Sequence, residues 1–180
     1  MATRHIVLIG FSGSGKSTIG PLLASRLKYR FIDTDQRIET DTGLTIAEIF
    51  RHKGEQAFRR QEIQTVVDVL NRRRSTVVAL GGGAFESREI RKVAGERGLV
   101  IYLSCSRREI YRRLKGKQDR PLLDVTPSAG QTVREAHMSR IEILLKKRLA
   151  NYRLADLVIS TTGKTPTLVT RQLLKQVGRR

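Results

Sequence analysis

A three-layer α/β/α domain with a parallel sheet of five strands is predicted by two patterns in the 180-residue sequence. Short apolar runs rich in β-branched residues alternate with longer segments whose apolar residues recur at helical spacing. The first run also passes directly into a glycine-rich turn that opens a helix, the arrangement in which a parallel sheet offers backbone amides to a phosphate.

That first run is Ile6, Val7, Leu8 and Ile9, followed by Gly10-Phe-Ser-Gly13-Ser14-Gly15-Lys16-Ser17-Thr18 and a helix marked by Ile19, Leu22, Leu23 and Leu27. Glycine, any four residues, then Gly-Lys-Ser in this context is a P-loop. Glycines let the backbone wrap and aim successive N–H groups at phosphate oxygens, next to the positive end of the helix. The motif makes Gly13, Ser14, Gly15, Lys16, Ser17 and Thr18 the candidate nucleotide-binding residues, with Lys16 reaching the β- and γ-phosphates and the Ser17 hydroxyl binding Mg²⁺.

Residues 30–33 read as the second strand, which ends in Asp33-Thr-Asp35. Two residues apart on an extended chain, both carboxylates can face a site at the carboxyl edge of the sheet, one serving the metal shell and the other a substrate hydroxyl. The competing reading is that one of them only caps the short helix beginning near Gln36. Thr45-Ile-Ala-Glu48 is a capping box. The helix after Gly54 carries Phe58, Ile63, Val66, Val67 and Leu70, and its Arg59 and Glu62 share a face, either as an ordinary surface pair or as an arginine fork held by a carboxylate.

The third strand, Thr76-Val-Val-Ala-Leu80, ends in Gly81-Gly82-Gly83, where many P-loop proteins place a magnesium-binding aspartate. Glycine there returns the metal's outer shell to Asp33 and leaves room for a small substrate against bare backbone. A helix opened by Ser87, a strand over 99–103 and a helix opened by Ser106-Arg-Arg-Glu109, a second capping-box pattern, come next. Residues 115–126 contain Gly116 and Arg120-Pro121 and read as a mobile lid that brings the Arg120 charge to a transferring phosphate. A long basic helix over about 131–153, a fifth strand over 157–160 and a helix started by Thr165-Pro166 complete the chain.

Composition narrows the function classes. The single cysteine, Cys105, excludes an internal disulfide and suits a reducing cytoplasm. No apolar run is long enough to span a bilayer, the chain enters its first strand almost at once with no signal peptide visible, and the three histidines have no metal-ligand spacing. Lys+Arg number 35 against 17 Asp+Glu, a formal net charge of +18, which invites polyanions. Scattered bases and few aromatics make a solvated basic surface the default. A cytoplasmic monomer with no membrane and no specific nucleic-acid partner is therefore expected.

In order and spacing, the P-loop, Phe31-Ile-Asp33-Thr-Asp35, Gly54-Glu55-x-x-Phe58-Arg59-x-x-Glu62, Gly81 to Gly83 and Arg120-Pro-Leu-Leu123 resemble shikimate kinase over essentially the whole chain. The resemblance implies one kinase domain over residues 1–180 with strand order 2-3-1-4-5 and a substrate-binding helical region at about 34–62. It also implies transfer of the γ-phosphoryl of ATP, with Mg²⁺, to the 3-hydroxyl of shikimate, a step of chorismate and aromatic amino acid biosynthesis. On the matching positions, Lys16 and Ser17 serve phosphate and Mg²⁺, Asp33 the metal shell through water, and Asp35 the substrate hydroxyl. Arg59, supported by Glu62, serves the substrate carboxylate, Gly82 and Gly83 touch substrate, Arg113 lies on adenine and Arg120 meets the phosphates. A second carboxylate arginine falls at Arg148, where the family's Arg-x-Pro-Leu-Tyr reads Arg148-Leu-Ala-Asn-Tyr152, without the proline and leucine. Two other readings are a kinase of gluconate or another hydroxy acid on the same core, and a basic P-loop protein that binds nucleic acid.

Overall fold

The computed structural model describes residues 5–115, 126–127 and 130–178. Its strands are β1 (His5–Ile9), β2 (Arg30–Asp33), β3 (Thr76–Ala79), β4 (Gly98–Ser104) and β5 (Leu157–Ser160), and the helices between and after them are α1 (Lys16–Leu27), α2 (Thr34–Thr42), α3 (Ile46–Leu70), α4 (Arg88–Arg97), α5 (Arg107–Leu114), α6 (Val133–Tyr152) and α7 (Pro166–Val177). All strand pairs are parallel and the sheet order is β2-β3-β1-β4-β5.

Alternation along β1 divides the core. Val7 and Ile9 point into a cluster with Val66, Val69 and Leu70 of α3, Ile90 and Ala94 of α4, and Tyr152 of α6. Ile6 and Leu8 point the other way, onto Ile19 and Leu23 of α1 and Val169 and Leu173 of α7. The sheet is thus covered on both faces, as near-continuous apolar strands require. Each fully buried Leu or Ile here stabilises the fold by about 1.5–3 kcal/mol. Leu22, counted in the apolar stripe of α1 from its spacing, is instead 41% exposed.

Helix starts follow the caps the sequence carries. Thr45 and Glu48 close both halves of their capping box, and so do Thr132 and Glu135, which set the start of α6 at Val133. α3 is broken at Gly54, whose φ of 79° and ψ of 165° are non-helical and suit glycine alone. The expected box at Ser106 and Glu109 forms only by half: the Ser106 hydroxyl accepts from the Glu109 N–H, while the Ser106 N–H donates to Thr162 Oγ1. The Glu109 carboxylate is thereby released for another task.

Strand carboxyl ends, the P-loop and the Gly81–Gly83 turn all leave the sheet at one edge. The functional residues collect there.

Candidate active site

A cleft of about 1060 Å³ at this edge is lined by the P-loop and by Asp33, Asp35, Arg59, Glu62, Gly82, Gly83, Arg113 and Arg148, among others. At its centre β1 ends and the chain wraps through residues 10–15, with Gly15 at φ 105° as the N-cap of α1. Lys16 is almost buried, and its Nζ donates to the carbonyls of Gly10 at 2.8 Å and Phe11 at 3.2 Å. The ammonium therefore sits folded over the loop it serves.

Asp33 does both things that its sequence position allowed. Its Oδ1 caps α2, accepting from the Asp35 N–H at 3.1 Å, and its Oδ2 accepts from the Ser17 hydroxyl at 2.6 Å. Capping and facing the phosphate loop are thus compatible, because the two carboxylate oxygens point to different partners. Asp35, in the first turn of α2, faces Gly81, where a Cβ would stand 2.6 Å from Asp35 Oδ1 and 2.8 Å from Glu62 Oε1. Only glycine leaves space for both carboxylates there.

Arg59 is no ordinary surface pair. Its Nη1 donates to Glu62 Oε2 at 2.7 Å, its Nη2 to Glu55 Oε1 at 3.1 Å, and its guanidinium lies over the Phe58 ring. Glu62 is 2% exposed, and burial pushes its carboxyl above the usual range against the opposing pull of Arg59; the nearby Asp35 charge pushes the same way as burial. A carboxylate that is costly to bury holds the arginine in place, and the arginine offsets part of that cost.

Arg148 comes from the other side of the cleft. Its guanidinium is buried and lies 5.4 Å from the centre of the Phe11 ring. A Cβ on Gly83 would stand 3.1 Å from Arg59 Nη2 and 3.3 Å from Arg148 Nη2, so the two arginines converge over that glycine. The altered segment after Arg148 does not disturb this. Tyr152, on the same face of α6 four residues later, donates its hydroxyl to the Gly82 carbonyl at 2.5 Å and stacks on Tyr102. Asn151, where the family pattern has leucine, donates to Glu86 Oε1 at 2.9 Å, and this also ties α6 to the glycine turn. Burial pushes the Tyr152 phenol above its usual value, with Arg148 opposing, so it remains a hydrogen-bond donor.

Arg113 is held from behind the P-loop. It donates to the carbonyls of Gly13, Ser14 and Thr161 and, through Nε, to Glu109 Oε1 at 2.9 Å. Hydrogen bonds from Arg112 first, then from Arg113, hold Glu109 down at about 2. Thr161, buried, donates to the Ser14 carbonyl at 3.0 Å. Arg120, and with it all but the ends of the 115–126 lid, lies outside the described residues.

Glu109, Tyr152 and Thr161 are the site residues that sequence reasoning missed. Glu109 stands three and four residues before Arg112 and Arg113, and Tyr152 four after Arg148, so helical spacing carried a signal for each. Nothing local pointed to Thr161, whose P-loop partner is 147 residues away.

Residues 12–178 match the family model described as shikimate kinase. A shikimate kinase of Chlorobium limicola is 43% identical over 96% of this chain and 87% of its own length, and one of Persephonella marina 38% identical over 97% and 99%. Among solved structures, a shikimate kinase from Acinetobacter baumannii in complex with shikimate aligns with a TM-score of 0.88 at 32% identity, covering 98% of this chain and 94% of that one. A gluconokinase from Sinorhizobium meliloti reaches a TM-score of 0.57 at 17% identity, which is a likeness of fold alone. The phosphate loop, paired carboxylates and facing arginines thus sit in a chain that belongs to the shikimate kinase family.

Proposed function

We propose that this enzyme transfers the γ-phosphoryl group of ATP to the 3-hydroxyl of shikimate, giving shikimate 3-phosphate and ADP. The observation that carries the reading is the convergence of Arg59 and Arg148 over Gly83, in one cleft with Asp35 and with Arg148 against Phe11 of the P-loop. Two guanidinium forks at one point suit a small carboxylate. A ring held there by its carboxylate presents a hydroxyl toward Asp35.

Transfer then asks mainly for alignment and charge stabilisation. The substrate oxygen forms a bond to the γ-phosphorus as the bond from phosphorus to the β–γ bridging oxygen breaks. Its electron pair leaves with ADP, and the hydroxyl proton passes to Asp35. Lys16, turning from the Gly10 and Phe11 carbonyls to phosphate oxygens, and the P-loop amides meet the charge that develops. Arg113 and Thr161 brace the loop, and Arg113 borders the nucleotide end of the cleft. Arg120 is assigned to the phosphates on the family pattern.

The Ser17 hydroxyl and Asp33 carboxylate are hard oxygen donors at the foot of the P-loop, a set that fits Mg²⁺ when nucleotide phosphates complete it, with Asp33 acting through water. When bound, the ion screens the phosphate oxygens. The reading extends to one domain over residues 1–180, with its substrate-binding part at about 34–62, acting as a cytoplasmic monomer. No described helix is long and apolar enough to cross a membrane.

Incubation with MgATP and shikimate, followed by NMR of the product, tests the reaction. A phosphate ester on the 3-oxygen, absent with Lys16→Ala, is expected; unmodified shikimate would overturn the reading.

A further inference from the structure

The edge of the sheet opposite the active site is basic. Register places Arg30, Thr76, His5 and Gly98 in one row across β2, β3, β1 and β4. Lys28 and Arg30 lie at the start of β2, Arg72, Arg73 and Arg74 just before β3, and Arg97 just before β4, all six exposed. The His5 ring bonds the Arg72 carbonyl at 3.1 Å, pinning that arginine-rich turn to the start of β1. With strands about 4.8 Å apart, the row from Arg30 to Arg97 is about 14 Å long.

Among the described residues none of these six forms an ion pair, whereas Arg37, Arg59, Arg107, Arg112, Arg113 and Lys146 each form at least one. The exposed described carboxylates next to the row are few: Glu96, Asp68, which accepts from Gln64, and Asp156, which accepts from the Val100 N–H at the start of β4. Helix ends explain part of the pattern. Arg26, Arg97 and Lys175 lie in the last turns of α1, α4 and α7, where a cation complements the negative end of the helix dipole. Arg30 is in a strand, and a helix end needs one cation, not the three consecutive arginines that follow α3.

We propose that this edge is a docking surface for the phosphate backbone of nucleic acid, bound without regard to sequence and separate from the kinase site. A row of about 14 Å matches about four steps of one strand at 3.4 Å each. The absence of exposed aromatics in the row leaves phosphate contact as its mode of recognition. A membrane fits less well, because among the described residues the one large apolar side chain exposed near this edge is Leu154, and interfacial binding buries an apolar face. The strands separate the row from the cleft, so docking leaves the active site open.

The test is fluorescence anisotropy of a labelled 20-base-pair duplex of arbitrary sequence, titrated with the full chain between 50 and 200 mM KCl. The expected result is micromolar binding whose log affinity falls with log salt at a slope of about −4 to −5, about 0.9 per phosphate neutralised. In the variant Arg30→Gln/Arg72→Gln/Arg73→Gln/Arg74→Gln the slope flattens by about 3.6 and affinity falls at least tenfold, with shikimate phosphorylation unchanged. Should that variant not fold, Arg73→Gln/Arg74→Gln reads half the change in slope. A control removing the same charge elsewhere, Arg88→Gln/Lys92→Gln/Arg108→Gln/Lys147→Gln, keeps most of the affinity. Equal losses in the two variants would assign binding to net charge and overturn the proposal. So would binding to phosphatidylserine vesicles without binding to the duplex, or no binding at 50 mM salt.

Discussion

The Tyr152 hydroxyl donates to the Gly82 carbonyl at 2.5 Å, and together with the Asn151–Glu86 bond it sets the distance between the helix that bears Arg148 and the turn over which Arg148 meets Arg59. Tyr152 itself is too deeply buried to touch substrate. It is a positioning residue.

Tyr152→Phe is expected to raise the shikimate KM about three- to tenfold while leaving the ATP KM and kcat near their original values. Stability should fall by about 0.5–1.5 kcal/mol, the net contribution of one hydrogen bond to a half-buried carbonyl. Steady-state kinetics with each substrate varied separates the effects. A lower melting temperature without a change in shikimate KM would mean that the bond serves stability alone.

Gly83→Ala puts a methyl group 3.1 Å and 3.3 Å from the two arginine forks. Gly83 has φ −109°, which any residue adopts, so the substitution reports crowding and not backbone strain. A shikimate KM raised tenfold or more, equivalent to at least about 1.4 kcal/mol, with nucleotide binding intact is expected. Kinetics and calorimetric titration with MgATP check it.

Asp35→Asn keeps the shape of the side chain but removes its capacity to take a proton. Loss of at least about 100-fold in kcat is expected, with MgATP affinity retained. Turnover close to that of the parent enzyme would remove Asp35 from the reaction.

Glu109 supplies a pH-dependent contribution to stability. Its carboxyl, held by Arg112 and Arg113, titrates near 2 in the fold against an ordinary value of 4.5. A depressed carboxyl stabilises in full above its unfolded value, and that stabilisation is lost as pH falls from about 4.5 toward about 2. Thermal melts of Glu109→Gln should therefore lie below the parent at pH 7 and approach it below pH 4. A gap independent of pH would show that the charge is not what matters. Because Glu109 also orients Arg113 against the P-loop, the variant should weaken ATP binding at neutral pH.

The parts of the site that were legible in the sequence are those encoded within a few residues. The P-loop is contiguous, Asp33 and Asp35 are two apart, and Arg59 and Glu62 share one helical face. The strand order came from family likeness, and the parallel pairing agrees with it. Ser106-x-x-Glu109 misled because the competitor for the Ser106 N–H, Thr162, arrives from the turn after β5, 56 residues away, and frees Glu109 to hold arginines. Arg148 was hardest to place by pattern. Its neighbours along the chain differ from the family, while its position is set by Tyr152, Phe11 and Gly82, which only the folded sheet brings together. Local chemistry reads directly; contacts between distant strands and helices do not.

The most direct test of the central claim is coupled ADP release with MgATP, comparing shikimate, gluconate, other hydroxy acids and no acceptor. The account expects release with shikimate far above every other acceptor, lost in Lys16→Ala and shifted to much higher shikimate concentration in Arg148→Met. Equal release with gluconate, or release indifferent to Arg148, would contradict it.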